Sequence, residues 1–267
     1  MAELRFTLLG TGSSGGVPRL GGVWGDCDPD NPKNRRRRCS MLIERITEAG
    51  VTRVLIDTSP DMRQQLLDAE VGTLDGVAFT HAHADHIHGI DDLRVIVFNT
   101  KERLSVWADG DTQNELFAKF GYTFVQPENS PYPPILNMHT IHEDQAFTIS
   151  GEGGDISLLP LQVNHGSIDA LGFKIEGLVY LPDVAQIPDK IWPELEGLEY
   201  WIVDALRRKP HPTHTHLAQT LDWIERVKPR YGVLTNMHID MDYQTLVDET
   251  ADNVIPAYDG MQISLTV

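Results

Sequence analysis

The run GVAFT (Gly76–Thr80) is short and apolar, and it ends on THAHADHIHG (Thr80–Gly89), where four histidines and an aspartate crowd into ten residues. No other stretch constrains the chain as much. An apolar run of this length reads as a buried strand. In extended backbone His81 and His83, two apart, project to the same side. Asp85 and His86 follow where the chain turns toward a helix, IHGIDDLRVIVF. A strand end and a helix start thus deliver imidazoles and a carboxylate to one place. Such ligands suit zinc, manganese or ferrous iron rather than calcium. The pattern H-x-H-x-D-H predicts a metal site, against the blander reading of a solvated histidine-rich loop. The helical zinc motif H-E-x-x-H is absent, which removes that class of metalloprotease.

Strand-like runs recur along the chain: Leu4–Gly10, Cys39–Ile46, Arg53–Asp57, Leu104–Ala108, Ile156–Val163, Leu171–Ile175, Leu178–Asp183, Tyr200–Ala205 and Tyr231–Met237. Most are β-branched or aromatic and are bounded by Gly, Pro, Asp or Asn. Helical spacing marks DMRQQLLDA, DTQNELFAKFG, LAQTLDWIERVK and DYQTLVDETA. Ser59 is placed to cap the first of these, with Pro60 at its first position. No repeat or low-complexity linker interrupts the pattern, and Pro127–Pro134 reads as a loop. The expectation is one α/β domain over residues 1–267. His88 is expected to pack away from the metal ligands, because positions two apart on a helix do not share a face. His139 and His142 are expected in a loop.

The 39 acidic residues against 22 Lys and Arg give a net charge of -17. Such a surface resists nucleic acid and anionic membrane. An anionic substrate has to be held locally, by metal or by clustered arginine. The run Arg35–Arg38 is conspicuous here; it is either a solvated loop or a phosphate contact, and Arg207 and Arg208 are comparable candidates. No apolar stretch reaches the ~20 residues of a membrane span. Two cysteines, Cys27 and Cys39, cannot build a disulfide framework. The start MAELRFTLLGTG carries Glu3 and too short an apolar run for a signal peptide, so a cytoplasmic location is expected.

His81-Ala82-His83-Ala84-Asp85-His86 resembles the signature of the metallo-β-lactamase fold superfamily of metal-dependent hydrolases. The rest of that pattern occurs in order: Asp57 in LIDTSPD, His165 in LQVNHG, Asp183 in LVYLPDVA and His238 in VLTNMHID. The resemblance implies a four-layer αββα sandwich. It also implies two divalent metal ions per chain, zinc or manganese. His81, His83 and His165 would hold one ion; Asp85, His86 and His238 would hold the other, with Asp183 bridging. Two ions about 3.5–4 Å apart activate a hydroxide for attack on phosphorus or carbonyl carbon. Asp57 either orients a ligand histidine or caps a loop.

Within the superfamily, LLGTGSSGGVPR is similar to the glycine-rich entry of the tRNase Z-like branch. RRRRCS, PHPTHTHL, TNMH and YDGMQISL resemble the cyclic phosphate phosphodiesterase family of phosphonate degradation. That likeness implies a small phosphodiester or nucleotide-like substrate, and a homodimer fits it. It names Asp85 as a catalytic ligand and His214 as general acid, with His216 a weaker candidate and His211 in a loop. The other reading of His214 is a residue before a helix, with Thr213 or Thr215 capping. Two further readings stay open on this fold: tRNA 3′ processing, which the acidic surface opposes, and a non-catalytic metal-binding or pyrroloquinoline-type carrier protein. Relatives with this likeness hold a structural zinc on three cysteines and a histidine. This chain has Gly25, Asp30 and Met241 where further ligands would stand, so no cysteine-held zinc is expected. Cys27→Ala should therefore leave metal content by atomic absorption unchanged; the loss of one ion per chain would refute this.

Overall fold

The computed structural model describes residues 2–267. Chain order begins with β1 (Glu3–Gly10), β2 (Ser40–Thr47), β3 (Gly50–Ile56), α1 (Met62–Asp68) and β4 (Gly76–Ala78). Next come α2 (Ala84–Ile87), α3 (Leu93–Thr100), β5 (Leu104–Ala108), α4 (Gly110–Phe120), β6 (Leu136–Thr140) and β7 (Phe147–Gly151). The remainder is β8 (Gly154–His165), β9 (Ile168–Ile175), β10 (Leu178–Leu181), β11 (Tyr200–Asp204), α5 (Leu217–Val227) and β12 (Tyr231–Thr235), then α6 (Tyr243–Glu249), β13 (Val254–Pro256) and β14 (Met261–Thr266). Two mixed seven-stranded sheets result, ordered β14-β1-β2-β3-β4-β5-β6 and β13-β12-β11-β10-β9-β8-β7. The α/β expectation holds. The chain divides into two compact units: residues up to Leu9 with Ser40–Ser157 and Gln262–Val267, and Gly10–Cys39 with Leu158–Met261. Among the described residues no helix is long and apolar enough to cross a membrane.

In the first unit, strand register writes the core. Leu42 pairs with Leu55, Leu55 with Val77 and Val77 with Val106, so one apolar row crosses four strands. Met62, Leu66, Ile87, Leu93, Ile96 and Leu116 from α1 to α4 pack in the same cluster. Each such buried side chain contributes roughly 1.5–3 kcal/mol. The parallel strands β3 and β4 then end together: the Asp57 amide donates to the Ala78 carbonyl at 3.0 Å.

The second unit repeats the device. In β10, β11 and β12, all parallel, Leu181 pairs with Val203 and Asp204 with Thr235. Strand β8 is antiparallel to β9, which is antiparallel to β10, so His165 leaves β8 at the edge where β10 ends. Helix α5 turns Leu217, Thr220 and Ile224 inward. Ligand sites in open α/β sheets lie beyond the carboxyl ends of parallel strands. That is where Asp57, Asp183 and Asp204 stand.

Four expectations are corrected. Helix α1 begins at Met62, not at Pro60; the Ser59 hydroxyl accepts from the Asp61 amide at 3.1 Å in a turn before it. IHGIDDLRVIVF is not one helix. It breaks at Gly89, between α2 and a short 3-10 turn, Ile90–Asp92, that leads into α3. The cause is backbone pairing with another segment: the Thr58 amide donates to the His86 carbonyl and the Gly89 amide to the Thr58 carbonyl, both at 2.8 Å. His139 lies on strand β6, not in a loop, stacked on Trp107 at 4.7 Å between ring centroids. Strands β6, β7, β13 and β14 carried no strand reading in the sequence. The mostly exposed β6 and the three-residue β13, which ends on Pro256, need few apolar residues to pair. The loop over Pro127–Pro134 and the loop placement of His142 hold.

Gly89 lies two residues past α2, the segment that carries Asp85 and His86, and a Cβ there would meet the Ser59 carbonyl oxygen at 2.1 Å. Gly89→Ala should cost about 1–3 kcal/mol through overpacking. Chemical denaturation would read this as a lower midpoint; an unchanged midpoint would show that the Thr58–Gly89 pairing yields freely.

Candidate metal centre

In the first unit the centre is organised by Asp57. It leaves β3 at φ 63, a backbone region that aspartate tolerates better than most residues. Its carboxylate accepts from the Thr80 amide and the Thr80 hydroxyl, each at 2.8 Å, and from His86 Nδ1 at 2.7 Å. Burial pushes the Asp57 pKa up, and the His86 charge beside it opposes that shift. With the Thr80 proton committed to Asp57, the Thr80 oxygen can accept from His81 Nδ1 at 3.0 Å. His81 and His86 thus have Nδ1 tied off and Nε2 as the lone-pair nitrogen, the tautomer that metal-bound histidines hold. His81 Nε2 lies 3.0 Å from His83 Nδ1, and the His81 and His86 rings are 4.3 Å apart. The Asp85 carboxylate reaches within 3.6 Å of His86 Nε2. His81, His83, Asp85 and His86 are therefore brought together. His88 is exposed and rests edge-on against Phe120, 5.7 Å away.

The second unit uses the same construction. His165 donates from Nδ1 to the Thr213 carbonyl at 2.6 Å, again leaving Nε2, which lies 4.0 Å from Asp183 Oδ1. His165, Asp183 and His214 each offer a ligand atom, all within 4.8 Å of one another. His214 donates from Nδ1 to Asp204 Oδ2 at 2.8 Å. Burial raises Asp204 to about 7, opposed by the charge and hydrogen bond of His214. Asn236, at φ 59, donates to Asp183 Oδ1 at 3.2 Å and to Asp204 Oδ1 at 3.3 Å. Neutral imidazoles with fixed Nδ1 protons, beside a buried carboxylate, are a donor set that fits a divalent ion.

His238 stands outside that cluster of three. Its Nδ1 faces Asp240 Oδ1 at 3.1 Å, and its Nε2 meets the guanidinium of Arg19. Burial, then the Arg19 charge, hold the His238 pKa below its usual value. His216 is the N-terminal flanking residue of α5, and neither Thr213 nor Thr215 caps that helix. His211 lies in the preceding loop, as expected, 5.2 Å from His214 between ring centroids. Asp204 and Asn236 were missed in the sequence. Asp204 ends YWIVD as Asp57 follows RVLI, so the rule that found one could have found the other.

The arginine run is not a solvated loop. Arg36 is buried against Cys27 Sγ and Asn34 Oδ1, Arg37 pairs with Asp259 at 3.1 Å, and Arg35 lies over the Trp24 ring. Cys27 and Cys39 are buried and are not joined in a disulfide.

Residues 52–239 match the β-lactamase superfamily domain, and the chain belongs to that superfamily. A diphosphatase from the PhnP family is similar at 31% identity and TM-score 0.87, over 99% of this chain and 98% of that one. Zinc-bound PqqB from Methylobacterium extorquens, at 15% identity and TM-score 0.74, covers 98% of this chain and 100% of that one and shares the fold. Human short-form tRNase Z, at 14% identity and TM-score 0.65 over the same shares, also shares the fold. An octanoyltransferase of Porphyromonas gingivalis is 34% identical over 263 residues, 97% of this chain and 51% of that protein. The chain thus spans about half the length of this curated relative.

Asp57→Asn separates the two roles left open for Asp57. Loss of a carboxylate that orients a metal-bound histidine should weaken metal affinity about 10–100-fold, read by chelator competition. A drop in thermal stability with metal affinity intact would leave only the loop-capping role.

Proposed function

We propose that residues 1–267 act as one two-metal phosphodiesterase domain on a small phosphodiester, a cyclic ribose phosphate or nucleotide-like molecule. His81, His83 and His165 would hold one ion and Asp85, His86 and His238 the other, with Asp183 shared. Zinc and manganese both suit these ligands. Divalent ions bound there would supply Lewis acidity toward a phosphoryl oxygen and lower the pKa of water.

The observation that carries the reading is the His214–Asp204 pair beside His165 and Asp183. Asp204 fixes the Nδ1 proton and favours the imidazolium. Nε2 is then the nitrogen that can give a proton to a departing alkoxide near neutral pH. Asn236 holds the Asp204 and Asp183 carboxylates apart in fixed orientation. Thus Asp204 positions, His214 protonates, and Asp85 and Asp183 complete the ligand set. The PhnP-family relative, a diphosphatase by its name, supports phosphorus as the reacting centre. A net charge of -17 opposes an RNA substrate, which would have to be gripped through many phosphates. We place the protein in the cytoplasm, where thiols such as Cys27 and Cys39 persist, and as a homodimer.

His214→Ala should lower kcat on bis(p-nitrophenyl) phosphate about 10²–10⁴-fold, with metal content intact. Unchanged turnover would end the assignment, and loss of an ion would recast His214 as a ligand. A parallel screen of cyclic phosphates, linear diesters, thioesters and β-lactams tests the substrate class.

A further inference from the structure

Helix α3 is apolar on both of its sides. Leu93 and Ile96 pack into the core of the first unit, while Val95 and Phe98 point away from it, 56% and 58% exposed. A surface helix ordinarily keeps its outer face polar, and one that is apolar all round is covered by something. Val95 and Phe98 are three apart, so they stand together as a ridge along the helix. A groove flanks that ridge on each side. One, of about 280 Å³, takes in Val95 and is walled on the α1 side by Met62, Leu66, Leu67 and Val71. The other, of about 370 Å³, takes in Phe98 and is walled by Tyr122, Tyr132, Pro127 and Pro133, with Tyr132 69% exposed.

At about 200 Å² for a fully buried aromatic, the exposed parts of Phe98, Tyr122 and Tyr132 offer roughly 300 Å². That is the size at which an apolar patch marks an interaction site. Shape and charge both select a second copy of this chain as the occupant. The ridge and the grooves that fit it lie on one surface, so a two-fold axis through α3 lets each copy supply what the other lacks. Arg63 and Asp92 line the first groove, both exposed, and among the described residues neither pairs with an opposite charge. In a two-fold contact Arg63 of each copy faces Asp92 of the partner subunit, which answers both signs; a ligand of one sign would answer only one. The second groove brings no lone charge, because Arg94 donates to Asp91 at 2.8 Å and the Tyr122 hydroxyl donates to it at 3.0 Å. Covering that groove therefore strands no ion away from water.

We propose that α3 and its two grooves form a two-fold interface with a second copy of this chain. The Val95–Phe98 ridge of each copy seats in a groove of the other, and Arg63 pairs with Asp92 of the partner subunit. The surface gives the homodimer its location and rests on that reading, independently of the phosphodiesterase chemistry. A standard interface buries ~800 Å² per partner around a more apolar centre; the aromatic patch is such a centre, and the charged groove rim surrounds it. Helix α3 follows α2 through Gly89, so the same contact braces the segment that carries Asp85 and His86.

Sedimentation equilibrium of the full chain, metal-loaded, reads the association, with circular dichroism to check the fold of each variant. Wild type should be a dimer. Phe98→Glu should raise the dimer dissociation constant about 30-fold or more, the scale of a lost aromatic anchor. Val247→Glu, at an exposed apolar position on α6, should leave it unchanged. Arg63→Asp and Asp92→Arg should each weaken the dimer about 10-fold by setting like charges against each other. Combining the two should restore it, a rescue that a folding defect does not produce and that decides the matter if Phe98→Glu fails to fold. A monomeric wild type overturns the surface and the homodimer together. A dimer indifferent to Phe98→Glu, or a combined variant no tighter than the single ones, overturns the surface and leaves the homodimer standing. Wild-type turnover of bis(p-nitrophenyl) phosphate, run alongside, reads the phosphodiesterase separately from either.

Discussion

A carboxylate taken out of water must be given donors, and each unit of this protein is organised around one that has been. Asp57 receives the Thr80 amide, the Thr80 hydroxyl and His86; Asp204 receives the Val184 amide, Asn236 and His214. Both are fully buried, and in both burial pushes the pKa up while an imidazole pulls it back. Leaving such a group without its donors would cost several kcal/mol. The loops that carry those donors are therefore bound to one geometry. Imidazole orientation follows as a by-product of solving the burial problem.

Parallel pairing explains why those donors arrive together. Adjacent parallel strands finish at one edge, so the residues just past β3 and β4, or past β10, β11 and β12, become neighbours without being close in sequence. Strand β9 runs antiparallel to both β8 and β10, so β8 points the same way as β10 and His165 leaves it at that edge too. Five histidines, His81, His86, His165, His214 and His238, each have Nδ1 held by an oxygen of a side chain or of the main chain. The pattern repeats because only one imidazole nitrogen can be anchored if the other is to do chemistry.

What was legible in the sequence was local. HAHADH, the aspartates closing apolar runs, and the helical spacing of α4, α5 and α6 follow from short-range periodicity. What was hidden depended on distant partners. The helix break at Gly89 is caused by Thr58 and Ser59, about thirty positions earlier. The fate of the arginine run turned on Asp259 and Cys27, and nothing around Arg19 announces that it reaches His238. Exposed β6 escaped notice because an edge strand need not be apolar to pair. Asp204 is the instructive miss. It had the same signature as Asp57 and Asp183, and only the absence of a ligand role in the resemblance left it unread.

Asp57, Asp183 and Asp204 sit at strand ends fixed by sheet register, where few replacements are compatible with the core. Arg19 stands on a five-residue turn, and Arg207 and His211 on the loop before α5, where exchange disturbs no strand. Sheet register thus ties the buried carboxylates to the core, while the loop-borne cations stand on segments whose side chains can change without moving a strand.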